Sequence, residues 1–164
     1  MSDTTRIRPA TKADAALILS LIRELAEYEK LLHEVTATAA DIEAALFGPR
    51  PSAECVIAEY GGKPAGFALF FHNFSTFLGK PGIYLEDLYV KPELRGKGVG
   101  RALLAHLAAL TLERDCGRFE WAVLDWNAPA IKFYESLGAK MMDSWKINRL
   151  TGEALAKLAA ESGA

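Results

Sequence analysis

The chain has 164 residues, enough for one domain that buries about two thirds of its unfolded surface. With 51% hydrophobic and 24% charged residues it has an ordinary globular composition, and its net charge of −2 excludes the basic balance of a generic nucleic-acid binder. No apolar run approaches the ~18 residues of a membrane span, and the start, M-S-D-T-T-R-I-R-P, carries no apolar signal region. Two cysteines, Cys55 and Cys116, without a disulfide framework fit a reducing compartment, so the expectation is a single cytoplasmic domain over residues 1–164.

Residues 5–8 form a short strand candidate that Pro9 stops. Thr11 with Asp14 three places on is a close variant of a capping box. Ala15, Leu17, Ile18, Leu21, Ile22, Leu25 and Ala26 then recur at helical spacing and predict an amphipathic helix, whose far end carries Glu24, Glu27, Tyr28, Glu29 and Lys30. Taken alone, that charged end reads as a solvated helix terminus. A second helix is expected over 38–47, opened by Thr38 and Asp41 and closed by Gly48-Pro49. Residues 53–60 and 63–74 read as two strands joined by the tight turn Gly61-Gly62. A loop over 75–82 leads to a strand over 83–90, which Lys91-Pro92 ends.

A helix over 100–115 carries Leu103, Leu104, Leu107, Leu110 and Thr111 on one face, with Gly117 as its stop. Residues 119–124 predict a central strand. Asn127 caps a further helix with Pro129 in its first turn, ending at Leu137-Gly138. A final strand is expected over 139–150 and a terminal helix over 151–160. Early hairpins followed by strand–helix alternation predict a mixed α/β fold with helices on both faces of the sheet.

The chemistry concentrates between Tyr84 and Arg101. Gly96, Gly98 and Gly100 stand at every second position after a strand and before a helix, with cations at Arg95, Lys97 and Arg101. Backbone N–H groups of such a loop converge on an anion, and the helix start adds its positive end. The pattern is R-x-x-G-x-G. It is not a Walker A loop, since no G-K-[ST] follows, and not G-x-G-x-x-G, since Arg101 stands where the third glycine belongs. Backbone amides around a pyrophosphate are the better reading. Glu86 and Asp87 lie near the other end of the segment; strict strand alternation puts them on opposite faces. An acidic strand beside a phosphate cradle suggests a phosphate-bearing cofactor meeting a cationic substrate. His33, His72 and His106 show no ligand-like spacing, so no metal is assigned.

The sequence resembles the GCN5-related N-acetyltransferases, in which R-x-x-G-x-G binds the pyrophosphate of acetyl-CoA. The segments R-x-R-P-A-T, L-I-R-E-L-A-E-Y-E, Y-L-E-D-L-Y-V, R-G-K-G-V-G and W-N-A-P-A-I-K-F-Y-E-S-L-G-A look like the diamine (spermidine/spermine) acetyltransferase branch and span residues 6–139. The resemblance implies a mixed, mostly antiparallel sheet of six to seven strands flanked by helices, and transfer of acetyl from acetyl-CoA directly to a primary amine of a polyamine, diamine or thialysine- or lysine-like acceptor. It implies cofactor contacts from Arg95, Gly96, Lys97, Gly98, Val99, Gly100 and Arg101. The backbone of Leu88, Tyr89 and Val90 would hold the pantetheine and face the acetyl carbonyl. Asn127, Ala128, Pro129 and Ala130 match the segment that approaches the cofactor. It implies that Tyr134 protonates the departing thiolate; a phenol of pKa about 10 is matched to a thiol of about 8.5. Glu86 is the family-matched catalytic carboxylate that draws the amine in. Tyr28 and Glu29 match amine-pocket positions, and Asp125 is a further acidic candidate. Trp126 and Trp145 read as core or dimer packing, and a homodimer is expected. Two readings stand against this one: acetylation of a protein N-terminus or lysine, and a non-catalytic acyl-CoA-binding domain. The intact Glu86 and Tyr134 speak against the second.

Overall fold

The computed structural model describes residues 4–163. Contacts divide the chain into two compact units, residues 1–124 and residues 125–164.

The first unit is built on a five-stranded sheet in the order β1-β2-β3-β4-β5. The strands are β1 (Thr5–Pro9), β2 (Glu54–Tyr60), β3 (Lys63–Ser75), β4 (Lys80–Val90) and β5 (Phe119–Trp121). The first four run antiparallel to their neighbours, while β5 joins parallel to β4. Gly61 and Gly62, both at positive φ, make the β2–β3 turn. The helices are α1 (Ala15–Tyr28), α2 (Ala39–Phe47) and α3 (Val99–Glu113).

Strand alternation distributes the core. Cys55, Ile57, Phe67 and Tyr89 face one side and bury against Ile18, Leu21 and Leu25 of α1 and Leu46 of α2. On the other side α3 crosses β1 to β4 with Val99, Leu103, Leu104 and Leu107 buried. The expected helices on both faces are present. Capping follows the sequence: the Thr11 N–H donates to Asp14 Oδ2 at 2.7 Å, and Thr38 and Asp41 exchange the two bonds of a capping box at the start of α2. The Arg8 guanidinium bridges Asp14 and Glu59 at 2.8 and 2.7 Å, which holds the Asp14 carboxyl down at about 2. Arg114 forks onto Glu54 at 2.7 and 2.8 Å, tying the end of α3 to β2.

Several expectations are corrected. The sheet has five strands rather than six or seven, because residues 139–150 carry no strand pairing among the described residues. Their weak alternation gave no face to bury: Met141, Met142, Trp145 and Ile147 are all exposed. The segment at 119–124 is an edge strand of three residues, not a central one. It stays paired only opposite Ile83, Tyr84 and Leu85. α3 is stopped by Asp115 in the left-handed region (φ 52°), not by Gly117, whose N–H donates to the Pro81 C=O at 2.8 Å.

The second unit contains α4 (Ala128–Ser136) and α5 (Gly152–Ala159). Asn127 Oδ1 accepts from the Ala130 N–H at 3.4 Å with Pro129 in the first turn, the arrangement expected for the cap. Trp126 and Trp145 are exposed, so neither is a core residue.

Candidate functional site

β4 organises the site, and its two halves differ. From Lys80 to Leu85 it pairs regularly with β3. At Leu69 the register shifts: Leu69 faces Asp87 while Phe70 faces Leu85, leaving Glu86 as the extra residue of a β-bulge. The pairing to β5 stops at Leu85. Beyond it, no strand of the described sheet lies on that side of Glu86, Asp87, Leu88, Tyr89 and Val90. β4 therefore presents an open backbone edge over those residues.

The bulge also changes which side chains share a face. Partners in an antiparallel ladder point the same way, so Tyr84 (opposite Phe71), Asp87 (opposite Leu69) and Tyr89 (opposite Phe67) all lie on the α1 side. Alternation from Tyr84 puts Glu86 there too. The expected split of Glu86 and Asp87 onto opposite faces does not occur, because the inserted residue resets the phase. The sequence did carry a trace of this: Ile83, Leu85, Leu88 and Val90 keep period two except for one step of three.

Asp87 is the residue that sequence reasoning passed over. Burial pushes its carboxyl up to about 6, and the charges of Glu86 and Glu29 push in the same direction. Glu29, just beyond the end of α1, is likewise raised by burial. Burial raises the Tyr84 phenol, with Glu86 and Glu120 adding to it. The carboxylates Glu29, Glu86 and Asp87 thus share one side of β4 at the end of α1, a region that favours a cation. Tyr28, the last residue of α1, is 40% exposed.

The glycine loop lies where β4 gives way to α3. After a 3-10 turn at Pro92–Leu94, Gly96 (φ 77°) and Gly98 (φ 83°) take the left-handed conformation. A Cβ on either would meet nothing within 4 Å, so conformation rather than crowding calls for glycine here. Gly98 is the N-cap of α3, and the first intrahelical bond is from Ala102 N–H to Gly98 C=O at 2.9 Å. The N–H groups of Val99, Gly100 and Arg101 therefore have no helical partner and point out of the helix start. Val99 is buried and anchors the turn; Gly96, Lys97, Gly98 and Arg101 are exposed. Gly100 lies inside the first turn, with Val90 Cγ2 3.6 Å from where its Cβ would be. Two of the loop's cations contact tyrosine rings. Arg95 lies over the rings of Tyr28 and Tyr89, at 4.9 and 5.8 Å, and Lys97 lies 5.5 Å from the Tyr60 ring. Unpartnered N–H groups at such a turn and helix start can be offered to an anion.

Tyr28, Glu29, Glu86, Leu88, Tyr89, Val90, Arg95, Gly96, Lys97, Gly98, Val99, Gly100 and Arg101 all belong to the first unit. Asp125, Asn127, Ala128, Pro129, Ala130 and Tyr134 belong to the second. There Asp125 is exposed, Asn127 is buried at the helix cap, and Tyr134 is half-buried with its ring 5.7 Å from that of Phe133.

The family model of the Acetyltransferase (GNAT) family matches residues 18–139, three quarters of the chain. The chain belongs to this family. A thialysine N-epsilon-acetyltransferase from Sus scrofa is 40% identical over 94% of this chain and 97% of its own. An L-ornithine N5-acetyltransferase from Arabidopsis thaliana is 33% identical over 92% and 86%. Among solved structures, an integron cassette protein from the mobile metagenome of V. cholerae superposes with a TM-score of 0.79 at 28% identity, covering 94% of this chain and 97% of its own. The protein is thus an acetyltransferase on a GNAT scaffold, and acetyl-CoA is the donor used by that family. No helix among the described residues is long and apolar enough to cross a membrane.

Proposed function

We propose that this acetyltransferase moves the acetyl group of acetyl-CoA directly to a primary amine of a small cationic acceptor: a polyamine, a diamine, or a thialysine- or lysine-like amino acid. The observation that carries the acceptor class is the group of carboxylates, Glu29, Glu86 and Asp87, beside the open edge of β4. Burial and mutual repulsion raise Asp87, and burial raises Glu29. An arriving ammonium relieves that repulsion. The thialysine and ornithine relatives, both named for acetylating a small amine, support the same class.

In this reading Gly96, Lys97, Gly98, Val99, Gly100 and Arg101 offer N–H groups to the pyrophosphate, and the α3 start adds its dipole. Leu88 and Val90 offer backbone groups at the open edge to the pantetheine and the acetyl carbonyl; Tyr89, assigned there by the resemblance, instead turns its carbonyl toward Gly66 on β3. Fixed donors at that carbonyl oxygen stabilise the charge it gains, an effect of several kcal/mol in comparable sites. The ammonium, pKa about 10.4, must lose a proton before it attacks. Glu86 draws it in, and Asp87, at about 6, is poised to accept that proton near neutral pH. Tyr28 and Glu29 are assigned to the acceptor side. Asp125 is kept as a further acidic candidate from the sequence alone, and Asn127, Ala128, Pro129 and Ala130, at the start of α4, are assigned to the cofactor on the strength of their motif. Tyr134, seven residues after Asn127 on α4, is assigned the proton for the departing thiolate on the strength of that motif.

The family match runs from 18 to 139 across both compact units, which supports one acetyltransferase domain. The exposed Met141, Met142, Trp145, Ile147, Leu155 and Leu158 support a homodimer made through residues 139–150 and α5, which sedimentation velocity checks. Two free, buried cysteines fit the cytoplasm.

A panel of amines and histone-like peptides incubated with acetyl-CoA tests the function. Free CoA should appear with diamines or thialysine-like amines and not with the peptides. Tyr134→Phe should lower kcat by about 10²-fold. Undiminished turnover across pH would remove Tyr134 as the acid. Tight acetyl-CoA binding with no turnover on any amine would favour the binding-domain reading.

A further inference from the structure

Arg95 opens the R-x-x-G-x-G pattern, and its side chain contacts β4 and the end of α1. Three contacts fix it. Its Nε donates to the Val90 carbonyl at 3.2 Å, and its guanidinium lies over Tyr28 at 4.9 Å and Tyr89 at 5.8 Å. The direction of that Val90 carbonyl follows from covalent geometry. The Lys91 N–H donates to Ala65 C=O at 2.8 Å on the β3 side. In a trans peptide the preceding C=O points the opposite way, so the Val90 oxygen faces the open edge of β4. Arg95 thus closes the end of that edge with one nitrogen while its guanidinium carbon lies over the ring of Tyr28, the last residue of α1.

Tyr28 is followed directly by Glu29 and by the closure of the helix. Lys30 takes a left-handed conformation (φ 62°), and the Leu31 N–H returns to Ala26 C=O at 2.7 Å. A second tie joins the same two elements, Lys91 Nζ to Glu24 Oε2 at 3.5 Å, but it is a single long contact between flexible side chains. A planar guanidinium that lies over a ring and also donates a bond sets a distance and an orientation that an ammonium contact does not.

We propose that Arg95 is a positioning residue that holds the acceptor side of the site, Tyr28 and Glu29, in register with the acyl-bearing edge of β4. Its side chain acts on amine recognition more than on phosphate binding, which the backbone amides of the loop carry. This inference rests on the acceptor location given above. It adds a coupling: the two substrates meet through one arginine belonging to the cofactor motif.

Arg95→Gln tests it with two readouts. Hydrogen exchange on the substrate-free protein should speed up about threefold to tenfold at the amides of Glu29, Lys30 and Leu31, with α2 unchanged, as loss of one cation–ring contact and one hydrogen bond predicts. In steady state the acceptor KM should rise about fivefold, at least three times the factor by which the acetyl-CoA Kd rises. Unchanged exchange at those amides overturns the proposal, whatever the enzyme acetylates. An acetyl-CoA Kd that rises as much as the acceptor KM, or more, also overturns it and makes Arg95 a phosphate ligand. A wild-type protein with no amine turnover defeats the proposed function instead, and the exchange readout then still decides the tie between Arg95 and α1.

Discussion

The two halves of β4 do different work. From Lys80 to Leu85 the strand has β3 on one side and, over its last three residues, β5 on the other; Ile83 and Leu85 are buried. From Glu86 to Val90 it keeps β3 alone, carries a bulge, and gathers two adjacent carboxyl groups above an open edge. The first half is held by what it buries. The second buries Tyr89 in the core and is otherwise held by the first and by β3, so it tolerates an unpaired edge and a buried acid that a free-standing strand would not. Where the ladder stops, backbone groups become available to a ligand.

The sharpest way to break this contrast is to weaken the structural half. Leu85→Ala should cost about 2–4 kcal/mol in a denaturant melt, while acetyl-CoA affinity measured well below the transition stays within about twofold of wild type. A large loss of affinity with intact stability would show that the halves are not separable.

Next in size is Asp87→Asn. The carboxyl has its ordinary value near 3.8 in the unfolded chain and about 6 in the fold. Asp87 therefore favours folding fully only below about pH 4, and that contribution is lost as pH rises through 6. At pH 7 the asparagine variant should be the more stable protein, by on the order of 2 kcal/mol, and the difference should vanish below pH 4. Its acceptor kcat/KM should fall, and the limb near pH 6 in the wild-type profile should disappear. Equal stability at pH 7 and pH 4 would mean that Asp87 is not buried as a charge.

The smallest stability effect belongs to the loop that follows. Gly98→Ala forces a Cβ into φ 83° and should cost about 1 kcal/mol. Acetyl-CoA affinity should fall about tenfold, because the strained turn re-aims the N–H groups at the start of α3. Calorimetry that finds affinity unchanged would take the phosphate cradle away from this loop.

Much of this was legible without coordinates. The helix periodicity of α1 and α3, the capping pairs at Thr11 and Thr38, the Gly61-Gly62 turn and the glycine loop are local features, written in residues a few positions apart. The family resemblance, carried by R-G-K-G-V-G and W-N-A-P-A-I-K-F-Y, pointed to the acetyltransferase family that the family model matches. What was not legible depended on partners distant in sequence. Residues 139–150 looked like a strand only if something lay beside them, and β5 looked central until its pairing proved to be one-sided.

The segment Y-L-E-D-L-Y-V shows the division most clearly. Its residue types alone specify a strand, a pair of acids and a glycine loop to follow, since those depend on local sterics and spacing. Which acid is buried, and that both face α1, was decided by the register with Leu69 and Phe70 on β3. A bulge adds one residue to one strand only, so it exists as a mismatch between two strands. The placement of Arg95 over the Tyr28 ring is likewise tertiary, because it needs the end of α1 brought against the end of β4 from more than sixty residues away.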